Sequence, residues 1–428
     1  MRAPLRIGYE LIAQLARAAA AITPPRESKI TRALHARRGI RRRFREWGLA
    51  HRDRTRPLLW MHAPSVGEGL QARPVLELMR RTRPDVQLAY THFSPSAAAF
   101  ARGLDVDFRD YLPFDTAGDA RVALDTLAPN ALVFSKLDVW PVLTDAAHAR
   151  RVRVGLISAT LSSGSSRRST LASALLREAY AALDVVGAID DADAARLVGL
   201  GVRERVIRVT GDTRYDQVWE RARRVNLDAP LLRALRSDAP RPTIVAGSTW
   251  PSDEEALLPA LMAIRARRPD VRLVIAPHEP TPAHLAPIEQ WAERERLRLG
   301  RLDAATPEDD VVLVDRVGVL GDLYALADVA FVGGGFHAAG LHSVLEPAAF
   351  GAPVLFGPRY GQSRDAVLLV ERTGGVSGAD RDALAATLDL WFGDASMRLS
   401  AGERARALVR SGVGAAQRSF ELVAGLIE

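Results

Sequence analysis

The chain has 428 residues, of which 48% are hydrophobic and 25% are charged, a balance typical of a soluble globular protein. This length exceeds the size at which a single hydrophobic core keeps growing, so two domains of about 200 residues each are expected. Cysteine is absent, which excludes disulfides and every thiolate-based metal, redox or nucleophilic site.

A net charge of +7 and an isoelectric point near 10.1 indicate an acidic partner. The densest basic run, residues 37–45, follows an N-terminal segment, residues 5–22, in which Arg6, Glu10 and Arg17 interrupt the apolar residues. These charges argue against a membrane-spanning helix, which needs roughly 20 apolar residues in succession. The segment is predicted to form a sided helix, either on an anionic membrane surface or packed on the protein body. Nucleic acid is not expected as a partner, because no matching fold motif appears.

After residue 56, short apolar runs alternate with longer helical stretches, the rhythm of βαβ units and parallel sheets. The predicted strands of the first half are residues 58–62, 87–91, 131–135, 153–157, 185–189 and 206–210. The rhythm pauses in a charged stretch that ends near residue 241 and then resumes. The predicted strands of the second half are residues 243–246, 271–276, 311–314, 329–332 and 353–356. Two successive doubly wound α/β domains joined by a linker are therefore expected.

The stretch HAPSVGEG, residues 62–69, follows the first predicted strand. Ser65 and Glu68 have the Ser-x-x-Glu spacing of a capping box, in which the carboxylate satisfies a backbone N–H at a helix start. The same stretch lies at the carboxyl end of a strand, where an α/β protein usually holds its ligand. A structural role and a chemical role are both open for Glu68 on this spacing.

The residues around Glu68 disfavour the cap. Gly67 and Gly69 would weaken a first helical turn by about 1 kcal/mol each, and Pro74 would fall in the helix interior and remove a backbone hydrogen bond. The helix is therefore predicted to begin near Arg73, leaving Glu68 in a loop or a frayed turn. A glutamate in that position suits a general base.

Residues 331–356 are predicted to form a strand, a glycine-rich loop, a helix and a further strand. Gly333, Gly334 and Gly335 allow positive φ and a close approach of a ligand, and the following helix would offer free N–H groups to a phosphate. This arrangement suits a nucleotide. Its spacing differs from the GxGxxG dinucleotide fingerprint, which disfavours a nicotinamide cofactor.

Further candidates in the second half have two interpretations each. Ser343 and Glu346 form another capping-box spacing, so Glu346 either caps a helix or contacts a ligand. Ser248 and Thr249 follow a strand and either donate to an anion or cap a helix. His278 ends another strand and favours an ordinary polar contact over catalysis. No metal-ligand spacing and no Gly-x-Ser-x-Gly elbow appear.

Taken in order, these segments resemble the Kdo transferases of lipopolysaccharide assembly, which move 3-deoxy-manno-octulosonic acid (Kdo) from its CMP ester onto a lipid A precursor. The resemblance covers nearly the whole chain. Its landmarks are His62-Ala-Pro-Ser-Val-Gly-Glu68, Val139-Trp140-Pro141 and residues 157–162, 210–216, 246–249, 324–328, 345–347 and 351–358.

The resemblance implies a GT-B glycosyltransferase fold with two facing Rossmann-like domains, and inverting transfer without a metal or other cofactor. It implies that CMP-Kdo is the donor and that a lipid A precursor at the cytoplasmic face of the inner membrane is the acceptor. The implied domains are a membrane-proximal segment (1–50), an acceptor domain (51–216), a linker (217–240), a nucleotide domain (241–405) and a returning C-terminal helix (406–428).

The resemblance also implies roles for individual residues. Glu68 matches the catalytic base, and a dry cleft would raise its proton affinity. Glu346 matches the glutamate that binds the ribose hydroxyls. The other implied donor-binding residues are Ser248, Thr249, His278, Gly318, Val319, Leu320, Gly334, Gly335 and Ser343. The implied acceptor-binding residues are Ser65, Gly67, Lys136 and Asp138.

The chain departs from the family pattern at several of these positions. His278 stands where the family commonly has an arginine near the phosphate, and its charge would be weaker and pH-dependent. Lys136 and Asp138 replace a Glu-x-Glu pair, and Ser343 replaces an asparagine. A UDP- or GDP-sugar donor is therefore a second hypothesis. A non-catalytic protein that binds nucleotide-sugars or lipids is a third.

Overall fold

The computed structural model describes residues 3–22, 29–161, 170–237, 239 and 241–428. Ser162, the last residue of one family landmark, and residues 238 and 240 of the expected linker lie outside these ranges. The chain divides into two compact units, the first made of residues 1–217 and 414–428 and the second of residues 218–413.

The first unit contains a seven-stranded sheet formed by the described residues. Its strands are β1 (Leu58–His62), β2 (Gln87–His92), β3 (Phe108–Tyr111), β4 (Ala131–Ser135), β5 (Arg153–Ala159), β6 (Val185–Ala188) and β7 (Ile207–Val209). Its helices are α1 (Ala3–Ile22), α2 (Lys29–Ala36), α3 (Ile40–His51), α4 (Val66–Thr82), α5 (Ala97–Arg102), α6 (Ala117–Leu127), α7 (Pro141–His148), α8 (Thr170–Ala181) and α9 (Asp191–Leu200). The chain leaves this unit through α10 (Thr213–Arg224).

The second unit contains another seven-stranded sheet of described residues. Its strands are β8 (Thr243–Thr249), β9 (Arg272–Pro277), β10 (Leu299–Arg301), β11 (Val311–Leu313), β12 (Val329–Val332), β13 (Val354–Phe356) and β14 (Gly375–Ser377). Its helices are α11 (Pro230–Ala234), α12 (Pro251–Arg265), α13 (Pro282–Arg294), α14 (Leu320–Leu323), α15 (Leu345–Phe350), α16 (Arg364–Glu371), α17 (Arg381–Gly393) and α18 (Ala395–Gly412). The last helix, α19 (Ala415–Ala424), belongs to the first unit.

All strand pairs in both sheets are parallel, which confirms the predicted α/β class. The strand orders are β3-β2-β1-β4-β5-β6-β7 and β10-β11-β9-β8-β12-β13-β14. Beside the first strand of each unit the order reverses, between β1 and β4 in the first sheet and between β8 and β12 in the second. At such a reversal the loops diverge and leave a crevice at the carboxyl ends of the strands.

Each predicted strand is present, and three further strands were missed. The missed strands β3, β10 and β14 each lie at the edge of a sheet. An edge strand is covered by fewer neighbours, so it carries polar residues and glycine without exposing a buried apolar run. The sequence Phe108-Arg-Asp-Tyr111 shows this, since only its first residue is buried. Central strands such as β1 and β4 are fully buried, and their apolar runs identified them.

The prediction that the helix after β1 begins near Arg73 was wrong. The helix α4 begins at Val66, with Ser65 as its N-cap and Pro74 inside it. The amide of Gly69 donates to the Ser65 carbonyl oxygen at 2.9 Å, which closes the first turn. Burial of one helix face against the sheet outweighs the unfavourable propensities of glycine and proline. Glu68 consequently lies in the first turn of a helix.

The N-terminal helix α1 exposes much of its apolar surface. Leu11, Ile12 and Leu15 keep 60%, 69% and 61% of their surface accessible. No helix within the described ranges has the length and apolar content to cross a bilayer. Much of the basic run at 37–45 is engaged inside the unit, because Arg41 pairs with Asp119 and Arg43 binds both oxygens of Asp110.

The chain returns to the first unit after α18, which ends at Gly412. The predicted boundary of the nucleotide domain was residue 405, which lies inside this helix. Ala405, Leu408 and Val409 of α18 are buried within the second unit. In the first unit, the Asp216 carboxylate accepts the amides of Gly414 at 2.7 Å and Ala416 at 2.9 Å. One side chain thus fixes the start of α19, which packs on α4.

We expect Asp216→Ala to lower the free energy of unfolding by about 1–2 kcal/mol, because two helix N-terminal amides lose their acceptor. Urea denaturation followed by tryptophan fluorescence measures the change. Glu220→Ala on the same helix is the control and should change stability by less than about 0.5 kcal/mol, because its ion pair with Arg224 is exposed. Equal effects of the two substitutions would contradict the assigned role of Asp216.

Candidate active site

Glu68 and Lys136 meet at the strand-order reversal of the first unit. Glu68 follows β1 and Lys136 follows β4, and these two strands are neighbours in the sheet. The Lys136 ammonium nitrogen lies 3.3 Å from Glu68 Oε1, and the Ser65 hydroxyl donates to Glu68 Oε2. The Ser135 hydroxyl donates to the Glu68 backbone carbonyl oxygen at 3.0 Å. The predicted residues Ser65, Lys136 and Glu68 therefore form one polar cluster.

The capping-box interpretation of Ser65 and Glu68 is wrong, because no side-chain bond caps the backbone at this helix start. The serine hydroxyl bonds the carboxylate instead. Glu68 is thereby oriented by side chains and keeps 17% of its side-chain surface accessible.

The electrostatics of Glu68 differ from the expectation of raised proton affinity. Burial raises its pKa, but the hydrogen bond from Ser65 and the positive charge of Lys136 outweigh burial, so the pKa lies below the ordinary glutamate value. Lys136 is 68 residues from Glu68 in the sequence, so local spacing gives no sign of a cation 3.3 Å from this carboxylate. Glu68 is therefore ionised at neutral pH and able to accept a proton.

Of the other predicted acceptor residues, Gly67 lies beside this cluster and Asp138 does not join it. Gly67 has no neighbour closer to an added Cβ than the Ser65 hydroxyl at 3.8 Å, so the surface beside it is open. Lys136 adopts a left-handed backbone conformation with φ of 70°, uncommon for a residue with a side chain. Asp138 points elsewhere, with its carboxylate 3.8 Å from the fully buried His62.

In the second unit, Ser248 and Thr249 end β8 at the other strand-order reversal. Ser248 has a left-handed φ of 55° and is half-buried, so its side chain is accessible to a ligand. Thr249 is buried, and its hydroxyl donates to Glu254 at 2.8 Å. The hydroxyl of Thr249 is consequently engaged within the protein, contrary to its predicted role as an anion donor.

The glycine-rich loop is filled by protein backbone. An added Cβ at Gly333, Gly334 or Gly335 would clash with the backbone of residue 248, 340 or 357, respectively. These glycines therefore permit close packing between loops. The prediction had been that they allow a ligand to approach the backbone closely.

The amides of this loop are also engaged. The carboxylate of the fully buried Asp253 accepts the amides of Gly334 at 2.7 Å and Phe336 at 3.0 Å. No helix follows the loop directly, since α15 begins only at Leu345. The predicted helix with free N–H groups directly after Gly333 to Gly335 is therefore not present, and a buried aspartate accepts two amides of the loop instead. The three consecutive glycines gave no sign of Asp253, which lies 80 residues before Gly333 in the chain.

Aromatic rings that the sequence analysis had not grouped lie beside this loop. The rings of Trp250 and His337 stack with their centroids 4.1 Å apart. The ring of His278 also lies against Trp250, with the two centroids 4.7 Å apart. His342 stacks on His278 at 4.4 Å and lies 3.2 Å from the indole nitrogen of Trp250. Burial and the neighbouring His278 lower the pKa of His342. Two histidines within the segment GFHAAGLH were the available signal, but the glycines dominated its interpretation.

Glu346 lies in the first turn of α15, whose N-cap is Val344 and which has no side-chain cap. The capping alternative for Ser343 and Glu346 is therefore wrong, and Ser343 is exposed. Burial raises the pKa of Glu346, with Arg221 opposing and Asp322 reinforcing the rise. This carboxylate is half-buried, and it accepts no hydrogen bond from the residues that the structure describes.

Tyr324 follows α14 and is buried, and this burial raises its pKa, with the nearby Glu346 carboxylate adding to the rise. The predicted segment Gly318, Val319 and Leu320 leads into α14, with Gly318 in a left-handed conformation. No three His, Asp or Glu side chains among the described residues are grouped so as to hold a metal ion.

Replacing Lys136 with methionine should raise the pKa of Glu68, because the positive charge is removed while burial remains. Glu68 would then lose its proton at a higher pH than in the wild type. Carboxyl-carbon NMR titration of protein labelled at glutamate, assigned with Glu68→Gln, measures this change. Lys136→Arg retains the charge and should leave the pKa below the ordinary value. A titration unchanged by Lys136→Met would contradict the assigned interaction.

The family described as 3-Deoxy-D-manno-octulosonic-acid transferase (kdotransferase) matches residues 38–217. The 3-deoxy-D-manno-octulosonic acid transferase of Bordetella pertussis is 31% identical over 380 residues, which cover 85% of this chain and 86% of that protein. The transferase of the same name from Haemophilus influenzae is 25% identical and covers 86% and 87%.

Solved structures show the fold. A glycosyltransferase from Rickettsia africae matches with a TM-score of 0.60 and 13% identity, over 87% of this chain and 99% of that one. UDP-GlcNAc 2-epimerase from Neisseria meningitidis matches with a TM-score of 0.64 and 12% identity, over 86% and 100%. Both units are thus Rossmann-like domains of the GT-B type, and the chain belongs to the 3-deoxy-D-manno-octulosonic-acid transferase family of glycosyltransferases.

Proposed function

We propose that this enzyme transfers Kdo from CMP-Kdo to a lipid A precursor with inversion at the anomeric carbon, and that Glu68 is the general base. The carrying observation is the ionised Glu68 carboxylate at the strand-order reversal, oriented by Ser65 and Lys136. A base that is ionised at neutral pH accepts the proton of a hydroxyl as that oxygen attacks. Family membership supports the sugar and the reaction class.

In the proposed step, an acceptor hydroxyl oxygen forms a bond to the anomeric carbon of Kdo while the bond from that carbon to the phosphate oxygen breaks. The hydroxyl proton passes to Glu68, and CMP leaves with the electron pair of the broken bond. Lys136 keeps 44% of its side-chain surface accessible. A phosphate of the acceptor therefore competes with Glu68 for the ammonium group, and binding of the acceptor frees the carboxylate.

The second unit supplies the groups for the leaving nucleotide. Ser248 and His278 lie at the ends of β8 and β9, beside the amino-terminal end of the 15-residue helix α12. A helix N-terminus and polar side chains stabilise the negative charge that develops on the departing phosphate. We propose that these groups fulfil this role without a metal ion. Burial lowers the pKa of His342, which keeps its ring neutral at pH 7. The ring is therefore proposed to act as a hydrogen-bond partner of the nucleotide and not as a positive charge.

Glu346 is proposed to bind the ribose hydroxyls of CMP. Its half-buried carboxylate has a raised pKa and receives no hydrogen bond from the described residues. Two ribose hydroxyls would satisfy both of its oxygens. The backbone of Gly318, Val319 and Leu320 is proposed to read the cytosine.

The enzyme is proposed to act at the cytoplasmic face of the inner membrane, where its lipid acceptor resides. The exposed apolar residues Leu11, Ile12 and Leu15 of α1 support contact with lipid. The exposed Arg42 and Arg45 of the basic run would meet anionic headgroups.

Mass spectrometry of a tetra-acylated lipid A precursor incubated with CMP-Kdo and the enzyme tests donor, acceptor and the number of Kdo units at once. We expect a product with at least one added Kdo. Calorimetry should show that CMP binds more tightly than UDP or GDP, and preferential binding of UDP or GDP would instead support the alternative donor. Binding of lipid A without any transfer would support a non-catalytic binding protein.

Glu68→Gln should lower kcat by about 10²- to 10⁴-fold, because an amide is unable to accept the proton. The affinity for CMP, measured by calorimetry, should stay unchanged, since Glu68 and the nucleotide site belong to different units. Glu77→Gln on the same helix is the control, because Glu77 is exposed and pairs with Arg73. Wild-type turnover by Glu68→Gln would exclude Glu68 as the base.

Glu346→Ala should weaken CMP binding by about 10- to 100-fold, because hydrogen bonds from the ribose to a carboxylate are lost. Calorimetry with CMP and 2′-deoxy-CMP separates this contact from a general defect. The wild type should bind CMP more tightly than 2′-deoxy-CMP, and this preference should largely disappear in Glu346→Ala. The control Glu371→Gln changes an exposed residue of the same unit and should retain the preference. An unchanged preference in Glu346→Ala would overturn the ribose assignment.

A further inference from the structure

A cavity of about 500 Å³ lies in the first unit between α1, α2 and the loops that follow β2, β3 and β4. Its walls are mainly apolar, with Ala13 and Ala16 on α1, Ala33 on α2, and the rings of Phe93, Phe114 and Trp140 on the loops. Small residues on the helices and aromatic rings opposite them leave a space that suits hydrocarbon. The volume falls within the range of small-molecule binding sites.

Two polar side chains in these walls, Tyr9 and Arg37, are satisfied within the protein, whereas the buried indole nitrogen of Trp140 has no hydrogen-bond partner among the described residues. The Tyr9 hydroxyl donates to Asp115 at 2.7 Å. The guanidinium of the buried Arg37 donates to the backbone carbonyl oxygens of Leu112, Ala33 and Phe93 at 3.0, 2.8 and 3.2 Å. Because these groups need no further partner, the cavity offers its occupant an apolar surface that is held in a defined shape.

The helices on this side expose large apolar residues to the solvent. Leu11, Ile12 and Leu15 of α1 and Ile30 of α2 keep 60%, 69%, 61% and 74% of their surface accessible. Ile12 and Ile30 also line the cavity. Apolar surface that is continuous from the exterior into a cavity marks an interaction site and not a solvated face.

Basic residues adjoin the apolar cavity. A second cavity of about 400 Å³ shares Arg37 and Phe114 with the first and is also lined by Arg17, Arg38 and Arg41. Among the described residues, Asp119 is the one acidic residue in its lining, and it pairs with Arg41 and lies 3.8 Å from the Arg17 guanidinium, so the arginines outnumber the carboxylate. Such a juxtaposition complements an amphiphile with an anionic group next to its hydrocarbon chain.

The apolar cavity is also connected to the Glu68 cluster. The amides of Phe93 and Ser94, which line the cavity, donate to the Pro64 carbonyl oxygen at 3.0 and 2.8 Å. Pro64 precedes Ser65, whose hydroxyl bonds Glu68. The rings of Phe93 and Trp140 stack with centroids 5.6 Å apart, and Trp140 follows Lys136 by four residues. A ligand in the cavity therefore lies beside the loops that carry the proposed base.

We propose that this cavity holds one acyl chain of the phosphorylated lipid acceptor, with the adjoining arginine cavity taking an anionic group of the same molecule. The inference rests on the proposed function and specifies how the acceptor is selected. The enzyme then recognises the acceptor by its hydrocarbon as well as by the hydroxyl that reacts. Acyl binding near Glu68 would orient that hydroxyl for attack.

Ala13→Trp tests the proposal, because an indole on α1 would fill the cavity. Initial rates should be measured with the tetra-acylated lipid A precursor and with its fully deacylated, water-soluble counterpart, which has the same phosphorylated disaccharide. With the acylated acceptor, we expect KM to rise about tenfold or more, since excluding a few methylene groups weakens binding that much. With the deacylated acceptor, KM should match that of the wild type. Gln14→Trp, the adjacent exposed position outside the cavity, should leave both values unchanged.

A photoreactive diazirine at the end of an acceptor acyl chain gives a second readout. We expect cross-links to peptides that contain residues 12–16 or 30–34, and their loss in Ala13→Trp. Equal kinetics of wild type and Ala13→Trp on both acceptors would overturn the proposal. So would a KM that rises equally on both acceptors, or cross-linking by a diazirine phospholipid but not by the acceptor. Failure of the wild type to transfer Kdo to either acceptor would instead refute the proposed function.

Discussion

Parallel strand pairing is the constraint on which the rest of this structure depends. Each parallel connection must cross back over the sheet, so all strands of a unit end at the same edge and their carboxyl-terminal loops gather there. The strand order then reverses beside the first strand of each unit, between β1 and β4 and between β8 and β12. Residues distant in sequence, such as Glu68 and Lys136, become neighbours at those reversals. The chemical groups of the enzyme lie where the topology leaves room for them.

Two glutamates of the chain show how local partners set the state of the same side chain. Glu68 and Glu346 each lie in the first turn of a helix that begins beside a strand end. Ser65 and Lys136 outweigh burial at Glu68, and its pKa falls. At Glu346 burial dominates, and its pKa rises. An ionised carboxylate suits the acceptance of a proton, whereas a carboxylate that lacks partners suits the binding of hydroxyl groups, so the two sites divide the proposed chemistry.

The N-terminal helices give the first unit a surface of a different character. Their arginines are largely engaged with aspartates and backbone carbonyls, as Arg37 and Arg41 show, so part of the basic run holds α1 to α3 in place. Their apolar residues remain exposed or line a cavity. The sequence left a membrane-surface helix and a packed helix as alternatives, and α1 combines features of both, since Tyr9 is bonded to Asp115 while Leu11 and Leu15 face solvent.

The sequence by itself determined the fold class, the central strands and the family, because buried parallel strands require continuous apolar runs and because the family motifs are contiguous in the chain. It also singled out Glu68 and Glu346. Tertiary structure alone decided what surrounds them. Asp253 fills the glycine-rich loop, a lysine lowers the pKa of Glu68, and three histidines collect around Trp250. Packing also kept α4 intact through Gly67, Gly69 and Pro74. Local spacing carries propensity, but hydrogen-bond partners, charge and burial depend on segments that folding brings together across the sheet.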